Sequence, residues 1–301
     1  MDTRKTGRPV IFGEVLFDVF PHGEVVMGGA PLNVAWHLKG FGLNPLLISR
    51  LGMDDHGQLV IDEMLKWGLD ISGIQRDEKY PTGRVKISLN NGQPEFTILP
   101  DQAYDYIDAE EALKAIQSQD VAMLYHGSLA VRNGVSLAAL NKLKHACNAN
   151  IFVDINLRVP WWSHENVNDL VRNAHWLKLN DIELIELSMS SSTDLSELAD
   201  TYVNKHRLQQ LILTQGDKGA SLRENGNVLN GKPVPVKEVV DTVGAGDAFS
   251  SVMILGILLD WPAEVTMSRA LEFASLLCTK RGATISDPDE YKGLLKVWDS
   301  A

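Results

Sequence analysis

Asp241-Thr242-Val243-Gly244-Ala245-Gly246-Asp247-Ala248-Phe249 is the stretch on which the reading of this chain turns. It continues through Ser250-Ser251 into the apolar run Val252-Met253-Ile254-Leu255-Gly256-Ile257-Leu258-Leu259, which predicts a helix entering a core with its N-terminus toward a cleft. A helix start presents unpaired N–H groups and about half a positive charge. The amides of Gly244, Ala245 and Gly246 could therefore hold an anion, with Asp247 standing where a hydroxyl nucleophile gives up its proton. Phosphoryl transfer needs that arrangement. A plain helix cap has the same pattern. Asp260 ends the apolar run far short of the roughly 18–20 residues that a bilayer requires.

Working outward, short apolar runs alternate with longer amphipathic ones. Buried strands are expected over residues 10–16, 46–49, 121–125, 151–154, 176–179 and 211–214. Helices are expected over 31–42, 57–67, 109–117, 135–146, 166–173 and 195–206, where apolar residues recur at spacings of three and four. Such alternation means an α/β fold with a mostly parallel sheet covered on both faces, whose ligands bind beyond the carboxyl ends of the strands. Residues 17–27 and 83–99, the latter interrupted by Asn90-Asn91-Gly92, alternate with a period of two and predict antiparallel ribbon forming a small β lid, or else an ordinary sheet extension.

The chain has 301 residues, enough for one large domain spanning 1–301. A net charge of −11 without a basic stripe argues against a nucleic-acid surface, and an anionic substrate would need local positive features or magnesium. Neither Cys147 nor Cys278 has a partner at metal-ligand spacing, and the eight histidines form no H-x-x-x-H or H-E-x-x-H pair, so no zinc site is expected. Val10-Ile11-Phe12 is cut short by Gly13-Glu14, which leaves no signal-peptide core; a cytoplasmic location without membrane contact follows as the expectation.

Four further constellations carry chemistry. Gly28-Gly29-Ala30-Pro31-Leu32-Asn33 is a second glycine-rich turn into a helix, and the donor-and-acceptor amide of Asn33 suits a sugar hydroxyl; Asp18 is a second candidate for gripping hydroxyls. Asn180 and Glu183 lie one turn apart at a helix start, which suits either a cap or water-bridged magnesium. Thr214, Gly216 and Gly219 lie in a turn that could cradle phosphate or ribose, or be a plain β-turn. Arg158, in Asp154-Ile155-Asn156-Leu157-Arg158, could meet phosphate, substrate or a structural partner, and Trp161-Trp162 could wall the cleft. Neither a P-loop nor a Rossmann fingerprint is present.

Taken together these residues resemble the ribokinase-like, or phosphofructokinase B, family of sugar kinases. The first signature is similar to Gly28-Gly29 through Asn33 and Ala35, followed by Gly42 and Gly52, and the second to Asp241 through Phe249. Asn180 and Glu183 match an N-x-x-E element, while Thr214, Gly216 and Gly219 match a nucleotide turn. The resemblance implies a three-layer sandwich with a β lid, and ATP- and magnesium-dependent phosphorylation of a sugar, with Asp247 as base. It also implies a potassium ion bound near the carbonyls of Asp241 and Val243 and the segment 279–283, and a homodimer through the lid with Val85, Ile87 and Leu89 facing either the partner or the cleft. Pro81-Thr82-Gly83, residues 101–105 and residues 154–158 look most like bacterial fructokinases, which implies D-fructose phosphorylated at its 6-hydroxyl. Other sugars (ribose, 2-keto-3-deoxygluconate, a riboside) or a catalytically silent sugar-binding regulator are the alternatives. Ser251-Val252 departs from the small pair that the family favours after the second signature.

Overall fold

The computed structural model describes residues 7–90 and 93–300, so Asn91-Gly92 and the side chain of Leu89 lie outside the described residues. In chain order the strands are β1 (Arg8–Phe12), β2 (Leu16–Val19), β3 (Val25–Gly28), β4 (Leu46–Gly52), β5 (Ile74–Asp77), β6 (Gly83–Asn90) and β7 (Gln93–Ile98). They continue as β8 (Val121–His126), β9 (Asn150–Asp154), β10 (Trp176–Asn180), β11 (Gln210–Thr214), β12 (Ala220–Glu224) and β13 (Asn227–Gly231). The large sheet has the order β13-β12-β11-β10-β9-β8-β1-β4-β5. Every pairing from β11 to β5 is parallel, and β12 and β13 extend one edge antiparallel.

Period-2 alternation sends β1 residues to opposite cores. Ile11 joins a cluster with Leu32, Val34, Phe249 and Val252 from the helices Ala30–Gly40 and Ala245–Leu258. Val10 and Phe12 join Ala139 and Leu140 from the helix Gly134–Ala146 on the other face. Hence the three layers. The order of succession reverses between β1 and β8, and a parallel sheet opens its ligand crevice beyond the carboxyl ends at such a point. The helix Ala245–Leu258 is buried along nearly its whole length, and Val252, Met253, Ile254, Leu255 and Leu258 each contribute about 1.5–3 kcal/mol by burial. Its N-terminus is thereby fixed against that crevice. Among the described residues no helix is long and apolar enough to cross a membrane.

Two expectations need correction. Residues 10–16 do not form one strand: the chain leaves the large sheet at Gly13, where a Cβ would lie 2.3 Å from Pro31 Cγ, and resumes as β2 in a second sheet of order β3-β2-β6-β7. That sheet is not antiparallel throughout, because β2 runs parallel to β6. Its register puts Leu16, Asp18, Val85, Ile87 and Ile98 on one face. There Leu16, Val85 and Ile98 pack on Tyr104, Leu129 and Ala130 of the body. Val85 and Ile87 are thus covered within the chain.

Candidate active site

The two glycine-rich turns, far apart in sequence, meet in space. Asn33, on the first turn of its helix, donates from Nδ2 to Asp247 Oδ2 at 2.8 Å, and both side chains are buried. Pro31 occupies the first turn of that helix, where its missing N–H costs nothing. Gly29 precedes it at φ 112, and a Cβ there would lie 2.6 Å from the Glu14 carbonyl oxygen. Gly28 ends β3. Burial pushes the Asp247 carboxyl up to about 6, raised further by Asp154 and opposed by the Asn33 hydrogen bond and by the charges of Lys178 and Arg158.

Gly244 is the left-handed cap of the helix Ala245–Leu258, at φ 77. The Ala245 amide turns back to the Thr242 carbonyl at 3.2 Å, so it is not free for an anion. Among the described residues the amides of Gly244 and Gly246 have no backbone acceptor, and that of Asp247 joins them because it lies in the first turn. Of the three amides expected to hold an anion, those of Gly244 and Gly246 are thus unpaired, and that of Asp247 stands in place of Ala245. Asp241 accepts the amides of Val243 at 3.0 Å and Gly282 at 3.1 Å, which ties the second signature to the segment 279–283. The departing pair is accommodated: Ser251 returns its hydroxyl to the Ala248 carbonyl at 2.7 Å, and Val252 is fully buried in the core.

Asp18 lies on the same face of β2 as Leu16, and burial raises its carboxyl against the opposing charge of Arg158. Arg158 is exposed and donates to its neighbour's carbonyl, Leu157, at 3.1 Å; its charge nonetheless acts on Glu14, Asp18 and Asp247. Trp161 stacks on the Arg132 guanidinium at 4.1 Å, and Arg132 is held through two nitrogens by Asp105 at 2.7 and 2.8 Å. The segment 101–105 therefore builds the wall behind the lid.

At the start of the helix Asp181–Ser188, Asn180 and Glu183 form a reciprocal capping box. Glu183 accepts the amides of Asn180 and Leu157, each at 2.9 Å, and burial raises its pKa. Among the described residues no group of three or more His, Cys, Asp or Glu could hold a metal directly. With both oxygens already engaged, Glu183 fits a hydrated ion reached through water and not a dry magnesium cage. Thr214 closes β11, and the turn through Gly216 (φ 56) and Gly219 (φ 99) leads into antiparallel β12. A Cβ at Gly219 would lie 2.1 Å from the Gly231 carbonyl, whereas Gly216 is open.

The sequence profile of the pfkB family carbohydrate kinases matches residues 13–290. The chain belongs to that family. Fructokinase-2 of Oryza sativa subsp. japonica is 26% identical, with 91% of this chain and 89% of that one covered. An uncharacterized sugar kinase of Pyrococcus horikoshii, solved in complex with ATP, is 26% identical over 93% of this chain and 96% of that chain, with a TM-score of 0.77. A double-mutant fructokinase of Vibrio cholerae O395, solved with fructose, ADP and a potassium ion, has a TM-score of 0.81 at 22% identity, covering 97% and 99% of the two chains, and so shares the fold. The present pfkB kinase is a carbohydrate kinase with the ribokinase-like α/β architecture.

Three polar side chains of this pfkB kinase escaped the sequence reading. Glu14, just beyond β1, is 6% exposed, one of its oxygens has no partner, and burial pushes it up to about 7 with Asp247 adding to the rise. Lys178 is buried in β10 and holds both Asp154 oxygens at 2.8 and 2.9 Å; its Nζ would stand 3.4 Å from a Cβ on Gly246. Ser250, one turn along from Asp247, gives Asp154 a third bond at 2.8 Å. A lone lysine inside an otherwise apolar strand was the available signal, since a buried ammonium requires a partner.

Proposed function

We propose that this kinase phosphorylates the primary 6-hydroxyl of D-fructose with magnesium-ATP. The observation that carries the reading is the Asn33–Asp247 bond, which joins a sugar-type turn to a base at a helix N-terminus. Asp18, Gly28, Gly29, Asn33 and Arg158 orient the sugar. ATP lies along Thr214, Gly216 and Gly219, with Asn180 and Glu183 ordering water around its magnesium. Asp247 takes the hydroxyl proton as that oxygen bonds to the γ-phosphorus, and the bond from the γ-phosphorus to the bridging oxygen breaks to leave ADP. The free amides near Gly244 and Gly246 and the helix end meet the charge on the transferring group. Potassium beside the Asp241 and Val243 carbonyls would favour the same geometry, in keeping with the ion in the Vibrio cholerae relative. Fructose is favoured by the subfamily-type segments and by the fructokinase relatives. A homodimer through the lid would use Phe96, 60% exposed opposite Ile87.

ADP release is the test, measured with magnesium-ATP over fructose, ribose, glucose, tagatose, 2-keto-3-deoxygluconate and a riboside, with and without potassium. Turnover chiefly on fructose is expected. Turnover on another sugar alone discards the substrate, and silence on all of them discards the reading. Replacing Glu183 by glutamine is expected to move the magnesium titration to higher concentration. It should also cost about 1–2 kcal/mol of stability, read by thermal melting, because the amide keeps one acceptor oxygen for Asn180 or Leu157 and faces the other N–H with a donor. A melting shift with an unchanged magnesium midpoint would return Glu183 to a purely structural cap.

A further inference from the structure

Behind the anion-binding turn lies a buried relay that nothing in the sugar or nucleotide contacts requires. Gly244 rests directly on Ala283: a Cβ at Gly244 would stand 2.6 Å from both Cα and Cβ of Ala283 and 2.9 Å from its oxygen. The height of Gly244 is therefore set by whatever holds Ala283. Its carbonyl oxygen lies 3.0 Å from Nε2 of His37, a fully buried side chain one helical turn beyond Asn33 on the same helix.

The hydrogen positions follow from valence. A carbonyl only accepts, so Nε2 of His37 carries the hydrogen. In the neutral ring Nδ1 is then an acceptor, and the Tyr291 hydroxyl at 2.8 Å must donate to it. That hydroxyl also lies 3.2 Å from the Ile285 carbonyl, but it has one hydrogen and the shorter contact takes it. Ile285 is served instead by Trp36 Nε1 at 2.9 Å. Burial pushes His37 down to about 4, which keeps the ring neutral near pH 7. Phe273 meets the ring edge-on at 5.0 Å, and the Tyr291 ring fills the space a side chain on Gly40 would need. The imidazole is thus fixed in place and in tautomer.

We propose that His37 is a positioning residue for phosphoryl transfer, holding Ala283, and through it Gly244, at a set distance from the Asn33–Asp247 pair. One helix then carries both the partner of the base and the clamp on the anion-binding turn. The inference rests on the kinase reading above. A misplacement of about 1 Å between hydroxyl and phosphoryl group costs about 100-fold in rate.

The test compares His37→Leu, His37→Asn, His37→Gln and Tyr291→Phe in the full chain, with kcat, both KM values and melting temperature measured for each. Glutamine can place its amide nitrogen where Nε2 stood and so still donate to Ala283; asparagine is too short. Leucine and asparagine are expected to lower kcat about 10- to 100-fold with KM for sugar and ATP within about twofold, because the lost alignment matters in the transition state. Glutamine should restore most of kcat, and Tyr291→Phe, which keeps the ring, should fall between. Equal losses in the asparagine and glutamine variants, or losses that follow melting temperature alone, would overturn the proposal. The ring nitrogens of His37 supply a reading independent of turnover: 15N shifts of an Nε2–H neutral imidazole at pH 7 are expected, and an Nδ1–H or charged ring would overturn the clamp. If the wild type turns over no sugar while the Nε2–H tautomer is found, the kinase reading has failed and the relay stands.

Discussion

Replacing Asp247 by asparagine is expected to lower kcat by about 100- to 10,000-fold, the range a positioned general base contributes, while the sugar still binds. Asparagine keeps an oxygen for the Asn33 amide, so the local bond at 2.8 Å can survive the change. Measurement of kcat together with sugar affinity by calorimetry checks both halves. Activity within tenfold of wild type would remove Asp247 from the chemistry. The wild type carries a second signature of the same group: with its carboxyl pushed up to about 6, kcat/KM should fall with a slope of one proton below about pH 6.

The sign for stability is opposite to that for activity. The folded-state value of Asp247 lies above its unfolded value of 3.8, so the folded protein binds the proton more tightly. That contribution is complete below the unfolded value and is lost as pH rises through about 6. At pH 7–8 the ionised base therefore costs on the order of 2–3 kcal/mol, from a shift of about two units. The asparagine variant should melt higher than the wild type at pH 8, and the difference should shrink at pH 5.

Gly244→Ala is the second change with a large expected effect. The residue stands in the left-handed region, where a side chain costs about 1–2 kcal/mol, and the added Cβ would collide with backbone that cannot swing aside. With a further 1–3 kcal/mol from overpacking, a loss of about 2–5 kcal/mol in stability is expected. Displacing the free amides should lower kcat by about 100- to 1,000-fold. Gly246→Ala is the control. Its Cβ would meet only Lys178 Nζ, at the ordinary distance of 3.4 Å, and alanine suits a helix better than glycine, so stability close to wild type is expected. Melting curves and kcat for the pair separate the two positions, and equal behaviour would mean that the contact with Ala283 does not set the turn.

Most of the parallel strands were legible as short apolar runs buried on both faces, though not β5, whose Ile74-Gln75-Arg76-Asp77 is mainly polar, and the two signatures were legible because glycine and proline mark backbone that can take only a few shapes. Pairing between distant segments was not. The parallel β2–β6 pair has the same period-2 pattern as an antiparallel one, since alternation reports faces and not direction. The edge strand β13 is largely exposed, so no apolar run announces it. At the site, Asn33 and Asp247 were recognisable separately, but their bond was not. His37 reads in isolation as one histidine on a helix, and its role depends on Ala283 and Tyr291, which lie far along the chain.

That separation bears on how the molecule is made. The Asn33–Asp247 bond spans 214 positions and the His37–Tyr291 bond 254. A chain growing from the ribosome can complete its first strands and helices early, yet the enzyme cannot exist until its last turns have emerged and docked. Contacts this distant in sequence carry a high loop-closure cost and form slowly. Regained turnover after dilution from denaturant should accordingly lag the return of helical signal, timing the final closure of the two ends of the polypeptide upon each other.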